Sequence, residues 1–150
     1  MAKPIVSIVM GSESDKEVMK GAEEVLEQLG IPCEMLVSSA HRNPDKTAAY
    51  ARKAKERGVR VIIAGAGYAA HLPGFLSSLT HLPVIGVPIA SSPLGGIDSL
   101  FSIVQMPGGV PVAGMGVGKS GAKNAAYFAA RILALNDPNI EKRLKSVIGK

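Results

Sequence analysis

Two histidines give this chain its capacity for chemistry near neutral pH, and each sits in an unusual setting. His41 stands beside Arg42 in "VSSAHRNPDK", residues 37–46, between an apolar run and the start of a helical pattern. A loop that only turns the chain is more cheaply built from Gly, Asn or Ser, so two long cationic or titratable side chains in succession point to a task. His71 lies in "AGAGYAAHLPG", residues 64–74, where three Gly and four Ala leave few side-chain atoms. Either packing there is very tight or a small ligand approaches the backbone. A third stretch, "MGSESDK" at 10–16, offers the hydroxyls of Ser12 and Ser14, with Asp15 placed to cap the following helix. Helix-end N–H groups attract a dianion, a carboxylate accepts from ribose hydroxyls, and a guanidinium grips phosphate through two parallel hydrogen bonds. Imidazole gives and takes a proton near neutrality. Together these residues suit acid–base chemistry on a bound phosphorylated molecule. Taken singly, each has a plainer reading: a serine-rich helix cap, a surface ion pair, or close packing of Gly and Ala.

Other chemistries lack their residues. His81, ahead of "LPVIGV", falls outside these loops and reads as structural. The histidines lack close metal-ligand spacing, Cys33 has no CxxC partner, and no carboxylates cluster in the three loops, so no metal site follows. Dinucleotide, P-loop and nucleophile-elbow glycine patterns are all missing. The formal charge of +5 suggests nucleic acid, but the last twelve residues hold four Lys or Arg against one Glu. That excess reads as the solvated face of a helical tail, and no basic run is interleaved with aromatics, so no nucleic-acid partner is expected.

At 150 residues the chain has the size of one domain, 1–150, with a C-terminal helical tail from about 137. A composition 47% hydrophobic and 19% charged favours burial between copies, hence a homo-oligomer, and the apolar "KNAAYFAARILAL" helix is where subunits are expected to meet. The N-terminal stretch does not read as a signal peptide, no apolar run nears the ~20 residues of a membrane span, and a lone cysteine forms no internal disulfide. The expected setting is cytoplasmic, with no membrane partner.

The elements that must position these residues alternate. Strands are expected at 4–10, 33–38, 59–65, 83–89 and 111–117. Helices are expected at 15–30, 44–58, 72–79, from 98, and at 121–135, with Gly30, Pro44 and Gly58 as boundary residues. Strands alternating with helices make a parallel sheet covered on both faces, an α/β three-layer sandwich joined by right-handed crossovers. Five such units resemble the flavodoxin-like order 2-1-3-4-5, whose ligands bind outside the carboxyl ends of the strands at the switch point between strands one and three. The loops after strands one, two and three are the three stretches above.

The motifs "MGSESD", "SAHRNPD", "AGAGYAAHLPG", "PVIGVP", "GIDSLFSIVQMPGGVPV" and "KNAAYFAARILAL", in this order, resemble the AIR carboxylase family of purine biosynthesis over about residues 5–135. Within that family they look most like the N5-carboxyaminoimidazole ribonucleotide mutases. The resemblance implies a homo-octamer that uses neither metal nor organic cofactor. It implies transfer of a carboxylate from the exocyclic nitrogen of an aminoimidazole ribonucleotide to ring carbon four, by decarboxylation and recarboxylation. It implies that Ser12, Asp15 and Arg42 bind the ribonucleotide with help from Ser14, Ser39, Gly67, Ala70 and Leu72. It also implies that His41 transfers the proton and that the Gly/Ala loop with His71 encloses the reacting carboxylate. Physically, Gly65, Gly67, Ala69 and Ala70 supply backbone N–H groups and little bulk, which suits a small dry pocket for carbon dioxide. Two residues depart from the family's usual pattern: Asn43, where Thr is usual, and Tyr68, where a further Gly is usual. Asn43 is expected to cap its helix all the same. A sister branch carboxylates aminoimidazole ribonucleotide directly and tends to carry Lys after the histidine, so Arg42, with Pro44, favours the mutase. A non-catalytic receiver-like module would need acidic residues where the chain has Gly11-Ser12 and Ala64-Gly65, and a flavin site would recruit aromatics that are scarce here.

Overall fold

The computed structural model describes residues 2–149. Along the central strands nearly every residue is buried, and side chains alternate between two buried faces, which sets the layers. In β1 (Val6–Met10), Val6, Ile8 and Met10 face one side and Val9 the other. The first side packs on Met19, Ala22, Val25 and Leu26 of α1 (Lys16–Gln28) and on the alanines of α5 (Lys119–Ala134). The second packs on Ala51 of α2 (Pro44–Lys53), Leu72 and Leu76 of α3 (Leu72–Ser77), and Ile103 of α4 (Ile97–Val104). Between them lies one parallel sheet ordered β2-β1-β3-β4-β5, with β2 at Cys33–Val37, β3 at Val61–Gly67, β4 at Val84–Ile89 and β5 at Ala113–Gly114. The pairings Met10↔Val37 and Met10↔Gly65 align the carboxyl ends of the first three strands.

Several boundaries move, each for a local reason. The regular helix α2 ends at Lys53 instead of residue 58, yet Arg57 N–H still donates to Lys53 O and the following turns close in a Schellman motif, with Gly58 N–H donating to Lys55 O and Val59 N–H to Ala54 O. That bond takes Val59 out of the sheet. β3 therefore runs two residues later than expected and carries Gly65 and Gly67 inside the strand. α5 starts two residues early, at Lys119. β5 shrinks from the expected 111–117 to two residues; a side chain on Gly114 would fall 2.6 Å from Val104 Cγ1, so α4 crosses where the strand offers least.

The C-terminal tail is helical from close to the expected residue and is also docked on the core. It forms α6 (Pro138–Ile148), N-capped by Asp137, whose carboxylate accepts from Asn139 and Ile140 N–H at 3.0 and 3.3 Å. Ile140 and Leu144 join the core, and Arg143 Nη1 donates to the carbonyls of Leu29 and Gly30 at 3.0 and 2.9 Å. The basic face is solvated, but the helix is docked. In α5, Ala122, Ala125, Ala126, Ala129 and Ala130 are fully buried within this one chain, while Phe128, and Leu135 just past the helix end, are exposed. No helix among the described residues is long and apolar enough to cross a membrane.

Candidate active site

At the carboxyl ends of β1, β2 and β3 lies a cleft of about 330 Å³, within the range of small-molecule sites. The first loop supplies Gly11, Ser12, Ser14 and Asp15. Ser12 takes an extended backbone and opens a single 3₁₀ turn, Glu13–Asp15, ahead of α1. Its hydroxyl accepts from Ser14 N–H at 3.4 Å and Ser14 Oγ at 3.0 Å. Asp15 does not cap α1 as expected. Its Oδ2 turns back to accept Ser12 N–H at 3.1 Å, which fixes the carboxylate at the cleft wall with only 4% of the residue exposed. Burial pushes this carboxyl above its ordinary 3.8, and the Ser12 N–H partly offsets the rise.

The second loop brings Ser39, Ala40, His41 and Arg42. It is held from beneath by buried hydroxyls: Thr47 Oγ1 donates to Asn43 O and Ser39 O and meets Ser38 Oγ at 2.7 Å. Ser39 Oγ accepts Arg42 N–H at 3.2 Å, so Ser39 shapes the loop that presents Arg42. Asn43 occupies the cap position of α2 but makes no side-chain cap, against expectation. His41 and Arg42 are exposed, and Arg42 forms no ion pair among the described residues.

The third loop contributes Ala66, Gly67, Tyr68, Ala69, His71 and Leu72. His71 stacks on His41 with ring centroids 5.0 Å apart and planes 8° from parallel, and tilts against Phe75 at 5.4 Å. Burial first, and the His41 ring second, keep His71 below the ordinary histidine value of 6.5. Two unit charges 5 Å apart repel by about 1–3 kcal/mol at effective dielectrics between water and a protein surface, so the stack disfavours a positive charge on both rings at once.

Two expected members stand elsewhere. Ala70 is buried, sits outside this cleft, and spends its N–H on Tyr68 O at 2.9 Å. Gly65 lies in β3, where a Cβ would fall 2.3 Å from Met19 Sδ; it is a packing glycine. Gly67 is a close-approach glycine that does line the cleft, since a Cβ there would fall 2.5 Å from Ser91 Oγ. Ser91, after β4, is the cleft residue that sequence reasoning missed, because only the first three loops flank the switch point. Among the described residues no three His, Cys, Asp or Glu side chains group as a metal set.

A family model described as AIR carboxylase matches residues 5–150. The N5-carboxyaminoimidazole ribonucleotide mutase of Thermotoga maritima is 58% identical over 142 residues, covering 95% of this chain and 82% of that protein. The protein of the same name from Bacillus subtilis is 56% identical over 142 residues (95% and 88%), and that from Escherichia coli 54% over 139 (93% and 82%). Among solved structures, Treponema denticola PurE superposes with a TM-score of 0.87 at 29% identity, covering 97% of this chain and 90% of that one. Motifs, sheet order and these likenesses agree: the chain belongs to the AIR carboxylase family.

Proposed function

We propose that this chain is an N5-carboxyaminoimidazole ribonucleotide mutase, as its relatives are named, acting in the cytoplasm on a free ribonucleotide. The observation that carries the reading is one cleft with an anion-holding end and a paired-imidazole end. At the first, the free Arg42 guanidinium takes the phosphate, Ser12 and Ser14 offer hydroxyls, and Asp15 accepts from the ribose. Its partial desolvation makes a hydroxyl donor more welcome to that carboxylate than an exposed carboxylate would find it.

At the other end the carbamate C–N bond breaks, carbon dioxide leaves, and His41 gives the ring-bound nitrogen its proton. Carbon dioxide then bonds carbon four, and His41 recovers a proton from that carbon, closing the cycle with no net proton change. His71, whose neutral form is favoured by burial first and by its partner second, stacks on the proton-transferring ring and fixes its orientation. Ser39 orders the Arg42 loop, Gly67 and Leu72 form the small pocket wall, and Ala70 supports that wall from behind. Nothing in this scheme calls on a metal or an organic cofactor. Replacing His41 by Asn should abolish turnover while ribonucleotide binding, read by calorimetry, survives; an active variant overturns the assignment.

The homo-oligomer belongs to the same proposal, with a second apolar contact surface in addition to the exposed Phe128 and Leu135. Ile97, Phe101 and Val104 project apolar side chains from one face of α4, between 45% and 58% exposed, with Leu94 beside them. The occupant of that face is a second copy of this chain.

A further inference from the structure

Tyr68 is the only non-glycine among the described residues with positive φ, at 53°. Left-handed backbone is costly for a residue with a Cβ, and more so for a bulky ring. Nothing in the chain explains it: the Tyr68 hydroxyl makes no hydrogen bond and its ring no aromatic contact among the described residues, and the residue is 58% exposed. The conformation is nevertheless firmly set. Gly67 is clamped against Ser91 on one side, and on the other Ala70 N–H donates to Tyr68 O, closing a tight turn ahead of the buried Leu72 and Pro73 of α3. The chain thus holds a strained aromatic residue at the wall of the cleft that the stacked histidines also line, and backbone strain gathers at functional positions.

We propose that Tyr68 closes the reacting end of the cleft and suppresses loss of carbon dioxide between its release and its recapture. The inference rests on the mutase reading above. Carbon dioxide is uncharged and offers little for a hydrogen bond to grip, so it is retained by bulk and by exclusion of water. The competing reaction is balanced: the carbamate C–N bond breaks, the nitrogen takes a proton, and the escaped carbon dioxide combines with water to give bicarbonate and a proton. The net products are aminoimidazole ribonucleotide and bicarbonate, without the carbon-four carboxylate. A phenyl ring supplies the bulk, so the hydroxyl is dispensable.

The test feeds the carbamate ribonucleotide to wild type, Tyr68→Gly and Tyr68→Phe, and measures how product divides between the carbon-four carboxylate and the decarboxylated ribonucleotide, with molecular mass by light scattering. Glycine adopts positive φ freely, so Tyr68→Gly should melt no lower than wild type. Its decarboxylated fraction should rise about tenfold, the scale for removing one well-placed apolar contact, and Tyr68→Phe should restore the wild-type division. A Tyr68→Gly variant with wild-type product division overturns the proposal. So does a changed division that coincides with loss of assembly, which assigns Tyr68 to a contact between copies. Failure of wild type to make the carbon-four carboxylate sinks the mutase reading itself, whereas a competent wild type with an unchanged variant sinks only the role of Tyr68.

Discussion

At the scale of single residues, the cleft is built from groups whose surroundings suit binding better than stability. Asp15 is the clearest case. Its folded-state value is raised, so the contribution of its protonated form is present at low pH and lost as pH rises from 3.8 through the raised value. At neutral pH the ionised group is a liability that a bound hydroxyl relieves. Asp15→Asn keeps an oxygen able to accept Ser12 N–H, so its melting temperature at pH 7 should equal or exceed that of wild type. Ribonucleotide binding by calorimetry should weaken about 10–100-fold, the worth of a hydrogen bond to a charged group. His71 runs with the opposite sign. Its folded value lies below 6.5, so its neutral form favours the fold above that pH, and that contribution is lost as pH falls through the lowered value. The types of these residues were legible in the sequence, because His, Arg, Ser and Asp are chemically conspicuous in loops. Their contacts were not. The backward turn of Asp15, the idle side chain of Asn43 and the histidine stack all depend on side-chain directions that spacing does not fix.

At the scale of elements, order and type were legible because apolar periodicity switches between strand and helix along the chain, and Gly30, Pro44 and Gly58 mark real boundaries. What spacing could not reveal was the meaning of each glycine. In "AGAGYAAHLPG" the three glycines read alike, yet Gly65 admits Met19, Gly74 admits Met106 and only Gly67 lines the cleft. The tail was read by charge, which hid the apolar stripe of Ile140 and Leu144 beneath the lysines. The docked α6 carries a direct test. Leu144→Ala should cost about 2–3 kcal/mol, lowering the melting temperature by roughly 5–10 °C in a domain of this size. A solvated tail would leave the melt unchanged.

At the scale of the whole molecule, the sheet gathers residues from four loops into one cleft and leaves an apolar face on α4. Static light scattering should return a multiple of the 15.5 kDa chain mass, and Phe101→Asp should lower it; a monomeric wild type would remove the assembly from this account. The activity itself is tested most directly by giving the purified chain either the N5-carbamate of aminoimidazole ribonucleotide or aminoimidazole ribonucleotide with bicarbonate, and measuring the carbon-four carboxylate. The mutase reading predicts rapid product from the carbamate and little from the second mixture. Efficient product from aminoimidazole ribonucleotide and bicarbonate, with none from the carbamate, would contradict it.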